Sequence, residues 1–148
     1  MSDRETADRL EIHEQLARYA RGVDTEDWDL WRSVFTEDAH LDYSSAGAAV
    51  GSRDEVAAWL EAGMRTVPIK MHYITNVEVA FDGDRAKVRA MFYNPMQLPG
   101  VEGMSACGGY YHHDFVRTPE GWKSERLVEE NVWFVNRPGG ETSDSGEA

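Results

Sequence analysis

The segment RYARGVDTEDWDLWRSVFTEDAHLDY, residues 18–43, is predicted to contain the end of one helix, a second helix and the beginning of a strand. It holds two tyrosines, five aspartates and two tryptophans. Aspartate is a poor helix-interior residue and a good cap, because its carboxylate competes for nearby backbone N–H groups. Asp24 or Thr25 therefore caps a second helix that begins near Glu26, or the Asp24 carboxylate faces inward and pairs with a base. The candidate for that base is His72.

Apolar periodicity predicts three helices in the first half of the chain. The first spans about residues 6–23, and its apolar positions recur at steps of four, three and four: Ile12, Leu16, Tyr19 and Val23. The second spans about residues 26–35. Ser52 and Glu55 form a capping box at the start of the third helix, and Pro68 ends it.

Strands are predicted for the remainder of the chain. A short strand at residues 38–43 places Ala39, Leu41 and Tyr43 on one face. Alternating apolar residues then predict four long strands at about residues 71–81, 86–96, 104–117 and 122–135. Asp82-Gly83 indicates a tight hairpin, and Gly108-Gly109 indicates a bulge or sharp bend inside the third of these strands.

This segregated order of helices and strands is typical of the α+β class. A long antiparallel sheet that is curled by bulges can wrap around the helices and leave a blind pocket. The length of 148 residues fits one domain, which we place at residues 1–137. Residues 138–148, PGGETSDSGEA, have almost no apolar content and predict a disordered tail.

Composition and charge narrow the function classes. The formal net charge of −12 repels phosphate backbones, so nucleic acid is an unfavourable partner. The apolar runs are too short to cross a bilayer, and the charged N-terminus lacks a signal-peptide core. Cys107 is the one cysteine in the sequence, so an internal disulfide and a cysteine-based metal site are excluded. These features predict a cytoplasmic protein that is not associated with membranes.

Several ordered pieces of the chain resemble the SnoaL-like branch of the nuclear transport factor two superfamily, over roughly residues 8–135. The pieces are RYARGVDTEDWD, LWRSVFTEDAHLDY, KMHYITNVEV, the DGD hairpin, GGYYHHDFVRTPEGWK and Trp133. The resemblance implies a cystatin-like, cone-shaped α+β barrel, with three N-terminal helices packed in a strongly curved, mainly antiparallel sheet around a deep apolar pocket. The superfamily includes dehydratases, polyketide cyclases, a dehydrochlorinase, isomerases and non-catalytic binding proteins, so fold alone leaves the function open.

The resemblance also assigns site residues. Asp24 and His72 match an aspartate and a histidine that pair in the dehydratase and dehydrochlorinase relatives. Tyr19 matches a tyrosine used by the bile-acid dehydratase, and Tyr43 matches one that holds the substrate carbonyl through water in scytalone dehydratase. The alternative is that Asp24 is a cap, that His72 is structural and that both tyrosines are core residues with satisfied hydroxyls.

Other family positions differ in this chain. A second histidine of scytalone dehydratase falls near Met96, and its pocket asparagine falls near Tyr111. A different set of substrate-orienting side chains therefore predicts a different substrate. The residues expected to contact the substrate are Trp28, Trp59, Phe92, Met96, Tyr111 and Trp133.

The Asp24–His72 pair predicts acid–base chemistry without a metal or organic cofactor. A histidine held in one tautomer by a carboxylate can take a proton alpha to a carbonyl, while a tyrosine hydroxyl stabilises the enolate. Residues 112–114, His-His-Asp, place only two possible ligands on one face of a strand, which is too few for a catalytic zinc site. Cys107 is expected to be packed rather than nucleophilic.

Three functions follow from these observations. The first is a cofactor-independent lyase, a dehydratase acting on a hydrophobic cyclic hydroxy-carbonyl compound, with the polycyclic, aromatic or steroid-like substrate class implied by the family. The second is a polyketide-type cyclase or isomerase that uses the same pair. The third is a non-catalytic protein that binds a small molecule or serves as a subunit of a complex. Relatives also imply a homo-oligomer, with a trimer slightly preferred over a dimer.

Overall fold

Three helices and eight strands make up the part of the chain that the computed structural model describes, residues 2–139 and the backbone of residues 143–144. The helices are α1 (Asp3–Asp24), α2 (Trp28–Ser33) and α3 (Arg53–Met64). The strands are β1 (Phe35–Asp42), β2 (Val50–Ser52), β3 (Ile69–Lys70), β4 (Tyr73–Asp82), β5 (Arg85–Gln97), β6 (Ser105–Thr118), β7 (Gly121–Val135) and β8 (Ser143–Asp144). A short 3-10 turn, Ser44–Ala46, joins β1 to β2.

Side-chain caps fix where the long helices begin. The Ser2 hydroxyl accepts a hydrogen bond from the backbone N–H of Glu5 at 3.1 Å, so α1 begins at Asp3, slightly earlier than predicted. The Ser52 hydroxyl accepts from the backbone N–H of Glu55 at 3.2 Å, which confirms Ser52 as the cap of α3. Each cap satisfies a backbone donor that has no partner inside the helix.

The second helix is shorter than predicted, and its cap is a different residue. Asp27, rather than Asp24 or Thr25, caps α2 by accepting from the backbone N–H of Leu30 at 3.1 Å. Helix α2 stops at Ser33, because Phe35 already belongs to β1. Asp24 is therefore not used as an N-cap, and its carboxylate is free for another contact.

The sheet curls around the helices as a half-barrel. Its strands run in the order β2-β1-β7-β6-β5-β3, and β4 also pairs with β5. Strands β1 and β7 are parallel, whereas the other pairs are antiparallel. The predicted hairpin is present: Asp82 pairs with Arg85, and Gly83 has a φ of 60° that suits glycine. The expected α+β architecture, with three helices inside a curved, mainly antiparallel sheet, is confirmed.

A bulge divides β4 into two halves with opposite alternation. The register with β5 shifts between Thr75 and Glu78, and Asn76 has a φ of 50°. Before the bulge, Tyr73 and Thr75 are exposed and Ile74 is half-buried. After it, Val77, Val79 and Phe81 are half-buried and pack against the core. Simple alternation would have placed Tyr73 and Val77 on the same face, so the extra residue changes which side chains face inward.

The predicted irregularity at Gly108-Gly109 is also present. The register between β6 and β7 shifts there, and Val132 is the extra residue on β7. A Cβ atom at Gly108 would lie 2.4 Å from the Trp133 ring, and one at Gly109 would lie 1.9 Å from the Glu130 carbonyl oxygen. Neither position therefore has room for a side chain. A second shift, between Asp114 and Phe115, adds to the curvature of the same pair of strands.

Buried side chains form two clusters along α1. The closed-end cluster contains Ile12, Leu16, Ala86, Val88, Ala90, Phe115 and Trp122. The cavity cluster contains Tyr19, Val23, Trp28, Trp31, Val34, Phe35, Ala39, Leu41, Tyr43, Val56, Ala57, Leu60, Phe92, Cys107, Tyr111 and Leu127. Helix α1 therefore contributes its middle, Ile12 and Leu16, to one cluster and its last turns, Tyr19 and Val23, to the other.

The C-terminal residues were predicted to form a disordered tail. Within this segment, the backbone of Ser143–Asp144 pairs with β7 opposite Phe134 and Trp133. Residues 140–142 and 145–148 of the predicted tail lie outside the described part of the chain. Among the described residues, no helix combines the length and apolar character needed to cross a membrane.

Candidate active site

Asp24 and His72 are in direct contact. The His72 Nδ1 atom lies 2.6 Å from Asp24 Oδ1, and the backbone N–H of His72 donates to Asp24 Oδ2 at 2.9 Å. Both carboxylate oxygens are thus used to hold one residue. The two side chains are mostly buried, with 14% of His72 and 22% of Asp24 exposed. Because Nδ1 contacts the carboxylate, Nε2 is the ring nitrogen left for a ligand.

Two local features of the chain bring these side chains together. Asp24 is the last residue of α1, and His72 lies in the short link between β3 and β4. The bulge at Asn76 allows His72 and Ile74 to face inward although Val77 and Val79 also do. Without the bulge, a β4 that buried its valines would turn the imidazole outward.

His72 forms part of the wall of a cavity of about 160 Å³ between the helices and the concave face of the sheet. The residues predicted for the site that line it are Tyr19, Tyr43, Trp59, His72, Met96 and Tyr111. Asp24 does not line the cavity but lies behind His72. The lining also includes Lys70, Asn94, Cys107 and Glu129, which were not predicted as site residues.

Three predicted substrate contacts lie elsewhere in the structure. Trp28 packs edge-on against Trp31, with ring centroids 6.2 Å apart. Phe92 stacks on Tyr111 at 4.5 Å and lies outside the lining. Trp133 covers Gly108 and lies 5.9 Å from the exposed ring of Tyr93, on the outer face of the sheet, because the bulge at Val132 turns it away from the cavity. These three residues therefore do not line this cavity.

Three buried phenols face the interior together. The hydroxyls of Tyr19 and Tyr43 lie 2.6 Å apart, and the Asn94 side-chain amide donates to the Tyr111 hydroxyl at 3.4 Å. Burial raises the pKa of all three phenols well above the ordinary value for tyrosine. They remain protonated at neutral pH and are therefore hydrogen-bond donors. In the Tyr19–Tyr43 pair, one hydroxyl hydrogen is used between the two oxygens, and the Tyr111 hydroxyl also interacts with that of Tyr19.

Glu129 is an unexpected member of the lining. Glu129 is 8% exposed, and its Oε1 atom has no hydrogen-bond partner among the described residues. Burial raises the pKa of this carboxyl to about 8. One signal was present in the sequence: Glu129 shares the inward face of β7 with the fully buried Leu127, two residues before it.

The remaining reactive side chains do not add a metal or nucleophile to this cavity. Burial raises the pKa of the Cys107 thiol to about 12, as suits a packed thiol. His112 faces outward and lies 3.1 Å from Glu130, whereas His113 faces inward and lies 2.9 Å from the Ser124 hydroxyl. Burial lowers the pKa of His113 to about 3, so it is neutral. Within the described residues, no three His, Cys, Asp or Glu side chains come together as metal ligands.

A larger depression, of about 620 Å³, lies on the outer face of the sheet and is open to solvent. Charged side chains such as Lys87, Arg89 and Arg126 line it, and the Asp24–His72 pair is not part of it. We therefore take the smaller inner cavity as the candidate active site.

Comparisons with known proteins agree with this fold. A model of the SnoaL-like domain matches residues 4–128. An uncharacterized protein of Mycobacterium tuberculosis, Rv2910c, is 38% identical over 130 residues, which cover 87% of this chain and 88% of the relative.

Two solved structures have similar folds. One is a candidate scytalone dehydratase of Novosphingobium aromaticivorans, with a TM-score of 0.85, 20% identity and coverage of 100% of this chain and 99% of that one. The other is the hexachlorocyclohexane dehydrochlorinase LinA-type3 of Novosphingobium barchaimii, with a TM-score of 0.80, 19% identity and coverage of 94% and 96%. At these identities the two structures show a shared fold alone.

Proposed function

This chain belongs to the SnoaL-like family, and from that premise we propose that it is a cytoplasmic, cofactor-independent lyase that removes water from a hydrophobic cyclic hydroxy-carbonyl compound. The observation that carries the proposal is the contact between His72 and Asp24 at the wall of a mostly apolar cavity. Proteins named as a dehydratase and a dehydrochlorinase share the fold, and both names describe eliminations.

The pair supplies the base. In the tautomer that carries its hydrogen on Nδ1, His72 donates to Asp24 Oδ1 at 2.6 Å, and Nε2 is the ring nitrogen that acts as the base. Nε2 removes a proton from the carbon next to the substrate carbonyl, and the carboxylate stabilises the imidazolium that forms. Histidine suits this step because its ordinary pKa lies near neutrality.

The phenols supply stabilisation of negative charge. As the proton leaves, charge develops on the carbonyl oxygen, and a hydroxyl of the Tyr19–Tyr43 pair donates a hydrogen bond to it. Both hydroxyls are buried and protonated, so they are already oriented and dry before the reaction. Cleavage of the C–O bond at the neighbouring carbon then forms the C=C bond and releases the hydroxyl, which leaves as water once it is protonated.

The size of the cavity bears on the substrate. A volume of about 160 Å³ is below the roughly 300–1,000 Å³ typical of sites for drug-sized ligands. The rings of Tyr43, Tyr111, Trp59 and Phe134 provide flat apolar walls. We therefore favour a substrate with one or two rings within the cyclic class over a steroid.

A polyketide-type cyclase or isomerase is the second candidate, because one base on a cavity wall can return its proton to a different carbon.

We also propose that the protein is a homo-oligomer, with a trimer slightly preferred over a dimer. The outer face of the sheet exposes Met91, Tyr93 and Tyr73, which are 39%, 48% and 46% exposed and could be covered by another copy. Light scattering of the purified protein tests the oligomer directly.

The test of function is a screen of small cyclic hydroxy-ketones with the wild-type protein, His72→Ala and Asp24→Asn, following loss of water by mass spectrometry. A dehydratase releases water from at least one compound, and both variants lose turnover while they keep the fold. Double-bond migration without loss of water identifies the isomerase. Binding of a compound with equal affinity in wild type and His72→Ala, and with no conversion, contradicts both enzymatic proposals and supports a binding protein.

A further inference from the structure

Glu129 presents a buried carboxyl to the cavity with no described partner for one of its oxygens. It lies on β7 opposite Tyr111 of β6 and is 8% exposed. Its backbone carbonyl accepts from the Ser45 hydroxyl at 2.7 Å, which holds the strand but leaves the carboxyl Oε1 atom unpartnered. Native structures rarely leave a buried polar group unsatisfied, and for a group in the wall of a cavity a bound molecule or a catalytic role explains the missing partner.

The surroundings keep this carboxyl uncharged. The titratable groups that face it are Tyr19 from α1, Tyr43 after β1, and Cys107 and Tyr111 from β6, all of which are neutral at physiological pH. No described cation offsets the burial of Glu129, because the basic groups of the cavity are already partnered.

The two basic side chains that line the cavity, Lys70 and His72, each contact another carboxylate. Lys70 Nζ lies 3.3 Å from Glu26, and His72 Nδ1 lies 2.6 Å from Asp24. Burial without a counter-charge raises the pKa of Glu129 to about 8. The side chain is therefore a carboxylic acid at neutral pH, with one O–H to donate.

His72 and Glu129 are held by strands that are not adjacent in the sheet. His72 directly precedes β4, whereas Glu129 is on β7, and β5 and β6 lie between these strands. In a flat sheet, three strand spacings of about 4.8 Å each would separate the two positions. The curl of this sheet brings the two side chains toward each other across the cavity. Both side chains line the same cavity, so a substrate between them can present its proton alpha to the carbonyl to His72 and the hydroxyl on the neighbouring carbon to Glu129.

We propose that Glu129 is the acid that protonates the leaving hydroxyl, while His72 acts only as the base. This inference rests on the proposed dehydratase function and names a second group for the same reaction. The Glu129 O–H bond breaks, its proton joins the hydroxyl oxygen, the C–O bond breaks and water leaves. His72 then holds the proton from carbon, and its transfer to the Glu129 carboxylate through solvent restores both groups.

The test compares Glu129→Gln with Glu130→Gln, the neighbouring carboxylate that is exposed on the outer face. On a hydroxyl substrate, Glu129→Gln is expected to lower kcat at least 100-fold, within the range of general-acid catalysis, while Glu130→Gln stays within about twofold of wild type. On the matched substrate with a halide in place of the hydroxyl, Glu129→Gln is expected to lose less than about tenfold, because a halide leaves without a proton.

The pH profile supplies an independent readout. Wild-type kcat on the hydroxyl substrate should fall as pH rises through about 8, and this limb should be missing from the residual activity of Glu129→Gln. Equal losses on the hydroxyl and halide substrates would overturn the role as acid and indicate positioning only. Unchanged activity of Glu129→Gln on the hydroxyl substrate would overturn it outright.

Failure of this inference is distinguishable from failure of the proposed function. Loss of turnover in His72→Ala with full turnover in Glu129→Gln rejects the acid and keeps the dehydratase. Full turnover in His72→Ala rejects the dehydratase mechanism itself. Infrared difference spectra of the wild type against Glu129→Gln report the carboxyl without any substrate, and a carboxylate already ionised at pH 6 rejects the acid.

Discussion

The two ends of helix α1 treat buried carboxyl groups in opposite ways. At the closed end, the Asp8 carboxylate accepts two hydrogen bonds from Arg117, at 2.9 and 2.7 Å, and a third from Trp122 Nε1 at 3.0 Å. At the cavity end, Glu129 Oε1 and Asn94 Oδ1 are buried without a described partner. The Asp8 carboxylate therefore stabilises the fold, while the Glu129 carboxyl oxygen has no partner among the described residues.

The electrostatics show the same contrast. Hydrogen bonds from Arg117 lower the pKa of Asp8, so this carboxylate is charged and contributes to stability. Burial alone raises the pKa of Glu129, so this carboxyl lowers stability whenever the unfolded chain would ionise it. If the comparison is correct, substitutions of Asp8 lower stability, whereas substitutions of Glu129 or His72 lower turnover much more than they lower stability.

The largest effect is expected from His72→Ala. Removing this proposed base should lower kcat about 1,000-fold or more. The free energy of unfolding should fall by only about 1 kcal/mol, because the imidazole is at the wall of a cavity and Asp24 keeps the backbone N–H of His72 as a donor. Steady-state kinetics and urea unfolding check the two halves of this prediction. A variant that loses stability and activity together would show that the cavity end is also structural.

Asp8→Ala should have the reverse effect. It leaves Arg117 without its buried partner and Trp122 Nε1 without an acceptor, so the free energy of unfolding should fall by about 3–4 kcal/mol. Asp84→Ala is the matched control, since Asp84 accepts from the same arginine at 2.9 Å but is 72% exposed and should lose under about 1 kcal/mol. Equal losses in the two variants would contradict the contrast between the ends.

Glu129 predicts how stability depends on pH. Its pKa is raised from 4.5 to about 8 in the folded state, so between these values the folded protein binds more protons than the unfolded chain. Its contribution to stability therefore decreases as pH rises through this window, by roughly 2–3 kcal/mol between pH 5 and 7. Urea unfolding of the wild type and Glu129→Gln should diverge over that range, whereas Glu130→Gln should follow the wild type.

The smallest effect is expected for Asp27→Ala, which lies outside both ends. Loss of the cap on α2 should destabilise the fold by about 1 kcal/mol, because the backbone N–H of Leu30 loses its acceptor at 3.1 Å. Turnover should stay within about twofold of the wild type. A large loss of turnover here would mean that α2 positions the neighbouring Asp24.

Local chemistry predicted some of these elements and tertiary contacts decided others. Ser52 capped α3 as expected, because a serine followed by Glu55 has one strong local solution. Several cap-forming residues compete between Asp24 and Asp29, and the sequence could not show that Asp27 takes the cap while Asp24 binds His72. That choice depends on a contact 48 residues away.

Some residues of the candidate site were predicted from the sequence and others were not. The Asp24–His72 pair followed from family resemblance and is in contact, whereas Glu129 was missed, since a glutamate in a strand is usually a solvent-facing residue. The bulge at Gly108-Gly109 was predicted from the absence of side chains, but the one at Asn76 has no such signal. The misplacement of Trp133 has the same origin, because the extra residue on β7 decides which way it faces.

The bulge in β4 has an evolutionary consequence. The hairpin after Asp82 anchors the far half of the strand, so deletion of Asn76 would rotate the near half to the opposite side. The imidazole of His72 would then exchange places with the ring of Tyr73, and every codon for a reactive side chain would be intact. Related proteins can therefore gain or lose a catalytic side chain through the insertion or deletion of one residue in a strand. Conserved active-site residues in a sequence alignment do not by themselves show that those side chains face the cavity.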